Sequence, residues 1–163
     1  MMSPEDAVSR EIEKAMEREY RALIERMEYI GMQAVAHARA LPSPNAKDFP
    51  NGITPHQPNY MDWSNNLRSS IGYVIISDGH AISDGHAISL SNFEVVGNGT
   101  AGAAEGKAYA ESLVSKFSSG VALVVVAGMN YASYVADKGY DVLESAELIA
   151  EDIAKQLMEK LFG

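Results

Sequence analysis

The sequence predicts an α+β fold: a long N-terminal helix, a mainly antiparallel sheet of three to four strands that contains a hairpin, and a middle and a C-terminal helix packed on that sheet. Three observations carry this reading. Residues 119–135, SGVALVVVAGMNYASYV, form the longest apolar block of the chain, with β-branched residues in a run between Gly120 and Gly128. The first forty residues repeat apolar side chains at steps of three and four, the period of a helix with one buried face. Between them lies a hexapeptide written twice, ISDGHA at 76–81 and again at 82–87, and each copy contains Asp-Gly, a strong hairpin signal.

The helix opens at Ser3-Pro4-Glu5-Asp6, where a hydroxyl caps the first turn, proline takes the first helical position, and acids meet the positive end of the helix dipole. Its stripe is Val8, Ile12, Ala15, Met16, Leu23, Met27, Ile30, Ala34 and Ala38, with Glu17 and Arg21 paired on the other side and Gly31 the one interruption. From Pro4 to Leu41 at ~1.5 Å per residue the helix runs on the order of 55 Å, against roughly 40 Å for a compact chain of this size. Either the helix kinks near Gly31 and folds back on its own core, or part of the stripe overhangs by roughly 15 Å and is shared with another subunit.

Residues 42–62 contain Pro42, Pro44, Pro50, Pro55 and Pro58 with no sustained period and read as a long exposed loop. Leu67-Arg68-Ser69-Ser70 leads into a strand at 71–76, and either Asp-Gly of the duplication serves as its hairpin turn. Slippage by one whole copy keeps every side chain on its own face, because six is a multiple of the strand period of two. Residues 92–96 read as a further strand, and 103–117 as a helix with Ala110, Leu113, Val114 and Phe117 on one face. The run 121–127 is apolar on both faces, which predicts a buried central strand. It turns into a short helix ending near Gly139. Asp141 through Glu144 form a capping box for a closing helix whose stripe is Leu143, Ala146, Ile149, Ala150, Ile153, Leu157 and Leu161.

Composition places the chain, residues 1–163, as one domain, since 47% hydrophobic residues suffice for a core. A formal net charge of −9, with no cluster of bases, argues against wrapping a phosphate backbone. Without cysteine there is no disulfide framework and no thiolate metal site. No apolar run approaches the ~20 residues that span a bilayer, and the start of the chain lacks the basic-then-apolar order of a signal peptide, so the expectation is a soluble protein made inside the cell.

Two constellations carry possible chemistry. Gly97, Gly99 and Gly102 match the dinucleotide-binding spacing between a strand and a helix, but the acid expected about 20 residues on, after the next strand, is missing from Gly128, Met129 and Asn130. The alternative is a flexible glycine-rich connection. Asp78, His80, Asp84 and His86 bring metal-ligand chemistry to the duplication without a further ligand at usable spacing. Neither constellation is complete, so no catalytic, cofactor or metal residues are assigned.

Asn66-Leu67-Arg68-Ser69-Ser70-Ile71 before a strand, and Val125-Val126-Ala127-Gly128-Met129-Asn130-Tyr131-Ala132-Ser133-Tyr134-Val135 before a glycine, resemble the neck proteins of tailed bacteriophages, the head–tail joining or tail-completion family. The order of elements is similar along nearly the whole chain. There are departures: Ser64-Asn65-Asn66 stands where that family has a Thr-Gly or similar pair, and Ala136 stands where it has glutamate after Tyr-Val. The resemblance implies a structural subunit of a hexameric ring at the virion neck or tail end, made in the bacterial host cytoplasm. Its implied partners are other copies of itself and neighbouring neck or tail-tube proteins, with no catalysis, membrane or specific nucleic acid. The rival readings are a small nucleotide-binding enzyme using the turn 97–102 and a metal-binding module using the ISDGHA copies.

Overall fold

The computed structural model describes residues 1–40, 65–83, 86–87, 93–129, 132, 136 and 142–162. The predicted loop at 42–62 and most of the predicted helix after Gly128 lie outside them. The elements are α1 (Pro4–Ala40), α2 (Asn66–Ser69), β1 (Ile71–Ser77), β2 (His80–Ser83), β3 (His86–Ala87), α3 (Thr100–Val114), β4 (Val121–Ala127) and α4 (Glu144–Phe162). This is the predicted α+β class.

Helix α1 begins as its first turn dictates. Ser3 Oγ accepts from the Asp6 N–H at 3.1 Å, and Asp6 Oδ2 accepts from the Ser3 N–H at 3.2 Å, a reciprocal box that satisfies donors the helix cannot. The helix then runs without interruption through Gly31. That glycine is a seat and not a kink, because a Cβ there would stand 2.6 Å from the ring of Tyr73 on β1. Near the other end of α1, the Arg39 guanidinium donates to the Ile71 carbonyl at 2.6 Å, fixing the helix over the start of the sheet.

The sheet order is β3-β2-β1-β4, antiparallel throughout. Strand β1 is the central one, and β4 pairs with it along its whole length, from Ile71 opposite Ala127 to Ser77 opposite Val121. The register sorts the two faces. Ile71, Tyr73, Val125 and Ala127 join Ala34, Val35 and Ala38 of α1 and Ala146 of α4 in one cluster. Val74, Ile76, Val124 and Val126 join Ala110, Leu113 and Val114 of α3 in another. Three layers result, α1 with α4 against one face and α3 against the other.

Two expectations are corrected here. Strand β4 is at the sheet edge and not at its centre, and of its seven residues only Val126 is fully buried. An apolar pattern on both faces reports helices above and below the strand, and says nothing about neighbours to its side. The strand predicted at 92–96 is also not one among the described residues 93–96. The Phe93 ring lies over Gly72 of β1. The Val96 N–H donates to Ser69 Oγ at 2.8 Å, so this segment bonds to a side chain in place of a ladder. A smaller difference concerns α3, which ends at Val114 and leaves Phe117 beyond it, 38% exposed.

Both copies of ISDGHA make a hairpin. Asp78 and Gly79 have φ of 47° and 81°, the left-handed pair that a two-residue turn of matching twist requires. Ser77 faces His80 across this turn, and Ser83 faces His86 across the next. The repeat therefore extends the sheet by one short strand. Deleting residues 82–87 joins Ala81 to Ile88-Ser89, which restores the Ile-Ser that ends β2 and removes β3 alone. We expect the deletion variant to fold and to unfold within about 1 kcal/mol of the parent, measured by urea denaturation. An unfolded variant would mean that β3 holds the sheet together.

Candidate functional site

Around α2, the short turn NLRS, three stretches of the chain come together. Asn66 Oδ1 accepts from the Gly102 N–H at 3.0 Å, capping the start of α3. Ser69 Oγ donates to the Asn65 carbonyl at 2.7 Å while accepting from Val96. The Ser70 carbonyl accepts from the Gly128 N–H at 3.1 Å, and Ser70 Oγ accepts from Met129 at 3.3 Å and donates to the Leu67 carbonyl at 2.7 Å. Both serines are fully buried, so each of these bonds also removes the cost of an unpaired polar atom. Leu67, also fully buried, packs with Ala132 and Val142. The two segments that carry the family resemblance thus meet in one corner.

The glycines belong to the same corner. A Cβ on Gly99 would strike Ser69 Oγ and the Asn65 carbonyl; one on Gly102 would strike the Asn66 backbone; one on Gly106 would strike the Ser70 backbone. Gly106 and Gly128 in turn lie backbone to backbone. The G-x-G-x-x-G spacing serves close approach, as it does in a dinucleotide fold, but what approaches is α2. The space a pyrophosphate would take at the start of α3 holds the Asn66 side chain and the backbone behind it. The segment is a packed turn and not the flexible connection expected from composition.

The Asp-Gly-His copies are structural where they are described. Asp78 Oδ1 accepts from the Gly120 N–H at 2.8 Å, while the Asp78 and Gly79 N–H groups donate to the carbonyls of Gly120 and Phe117. The first turn is thereby tied to the loop between α3 and β4. His80 Nδ1 lies 3.0 Å from the Asp78 carbonyl. Among the described residues no three His, Asp or Glu side chains gather as a metal site would need. Asp84 and the His86 side chain lie outside those residues.

Among the described residues, α1 also presents a stretch of exposed apolar surface. Residues 4–19 of α1 are all exposed, and the first fully buried side chain of the helix is Ile24. The exposed part amounts to about 24 Å of helix. Val8, Ile12 and Met16 are 59%, 54% and 66% exposed and share one side of the helix. On the same side Leu23 and Met27 border an apolar groove closed by Leu123 of β4 and by Leu157 and Met158 of α4. Paired charges such as Glu11 with Lys14 and Glu17 with Arg21 occupy other positions on the exposed helix. A stripe of this length running off a folded body is the usual mark of a shared interface.

No helix among the described residues is long and apolar enough to cross a membrane. Compared with known proteins, the chain matches no family model, no curated protein and no solved structure.

Proposed function

We propose that the chain is a structural subunit of a tailed-phage neck or tail terminus, a head–tail connector or tail-completion protein that closes into a ring with copies of itself and performs no catalysis. The observation that carries the assembly is the α1 stripe, standing outside the subunit's own core. Val8, Ile12 and Met16 of one copy suit the groove bordered by Leu23, Met27, Leu157 and Met158 on the next. Such a contact joins two different surfaces, the head-to-tail kind that gives a ring when its rotation closes and an open filament when it does not. The virion assignment rests on the NLRSSI and YA-x-YV resemblance, supported by the meeting of Leu67 and Ser70 with Gly128, Met129 and Ala132 in the corner around α2.

Light scattering across a concentration series, followed by negative-stain electron microscopy, tests this directly. The expected result is a mass that rises with concentration to a closed ring with a central opening. A monomer at about millimolar concentration, with heat of binding for NAD or NADP at a dissociation constant below about 100 µM, would overturn it in favour of the nucleotide reading.

A further inference from the structure

Strand β4 ends the sheet, so alternate backbone N–H and C=O groups along its outer side have no strand beside them among the described residues. Natural edges are ordinarily blunted by a charge, a proline or a bulge. VALVVVA has none of the three, and its register against β1 is unbroken.

This edge opens into a channel. Two clefts of about 520 and 480 Å³ share Val124, Val125, Leu143 and Glu147, so they form one trough along the strand. Tyr109 and Leu113 of α3, with Phe117 beyond them, make one wall, Leu143 and α4 make the other, and Ala132, Ala136 and Val142 line the end at Ala127. Among the described residues, the charged side chains lining the trough are Glu144, Glu147 and Glu151, all exposed and spaced so that they stand along one side of α4.

We infer that the β4 edge is a strand-addition site for an extended, basic segment of a partner protein. The segment pairs its backbone with β4, sets alternate apolar side chains into the trough against Tyr109 and Phe117, and places Lys or Arg opposite Glu144, Glu147 and Glu151. Charge selects such a partner over a second copy of this chain. Pairing β4 with its own counterpart about a twofold axis keeps each face of the sheet on its own side, so the two glutamate rows would face each other across the junction. The trough adjoins the groove of the ring contact at Leu123, Ala150 and Glu151, whereas Glu144, Glu147, Tyr109 and Phe117 belong to the trough alone.

The test uses the full chain and a capped synthetic peptide of alternating Lys and Val, with Glu in place of Lys as its control. Residue-resolved amide exchange by NMR on the free protein is expected to show fast exchange at every second residue of 121–127. The Lys peptide protects those same amides, binds at least about tenfold more tightly than the Glu peptide, and loses that preference as salt rises. Glu147→Lys, at an exposed position outside the groove of the ring contact, reduces the preference and lowers the melting temperature by no more than about 4 °C, the loss of one acid from the first turn of α4. Uniform protection of β4 in the free chain overturns the inference, since the edge would already be covered by the chain itself or, if dilution releases it, by another copy. Equal binding of both peptides, or of neither, overturns it as well.

Discussion

Replacing Gly102 with alanine lowers the melting temperature by roughly 6–12 °C, the counterpart of about 3 kcal/mol in a chain of this size. The sign is diagnostic. At an ordinary helix interior, glycine to alanine stabilises by about 1 kcal/mol, because alanine has less backbone freedom to lose. Here the added methyl would meet the carbonyl oxygen, carbonyl carbon and Cα of Asn66, all backbone, and no rotamer can move them aside. Relief requires α3 to shift away from α2, which breaks the Asn66 cap on the Gly102 N–H and opens the packing of Gly106 on Ser70. Gly120 supplies the comparison: its φ is 76° and nothing lies within 4 Å of its missing Cβ, so alanine there meets only the strain of a left-handed backbone, about 1 kcal/mol. Thermal unfolding followed by circular dichroism separates the two. Were the glycines a cofactor cradle, Gly102→Ala would leave stability unchanged or raised and abolish ligand binding, the opposite pattern.

Local chemistry made much of this fold readable. The Ser3–Asp6 box, the stripe of α1 and the turn at Asp78-Gly79 are each decided by residues close by in the chain, and each is found where the sequence puts it. Lateral order in the sheet is decided by chain segments far apart, so β4 and β1, both apolar on two faces, could not be ranked as edge and centre from pattern alone. The duplication posed the same difficulty, since either turn satisfied the local rule, and the structure uses both. For the glycines, sequence specified a close backbone approach without naming what approaches. Only the fold brings Asn66 and Ser70 beneath Gly102 and Gly106. That β4 has no strand on its outer side among the described residues left no signal of its own, although the absence of charge and proline from VALVVVA is visible in retrospect.

The stripe on α1 makes the sharpest division between folding and assembly. Replacing Ile12 and Met16 with glutamate is expected to abolish oligomers and to leave the monomer folded, with a melting temperature within about 2 °C of the parent. Both side chains are more than half exposed and lie in the part of α1 that precedes Ile24, so the polar replacements desolvate nothing in the subunit. Their own i,i+4 repulsion costs only a few tenths of a kcal/mol in the helix. In an assembled ring, each glutamate would instead enter an apolar contact, where an unpaired charge costs several kcal/mol, and every subunit contact would carry that cost. Ile24→Ala, a few residues further along, is the opposite experiment: its side chain is fully buried, and its truncation is expected to destabilise the monomer by about 2–5 kcal/mol. Light scattering and thermal unfolding on the two variants therefore move independently, association lost in the first and stability lost in the second. If the double substitution unfolds the chain instead, the stripe belongs to the subunit's own core, and α1 does not stand clear of the body as its exposure indicates.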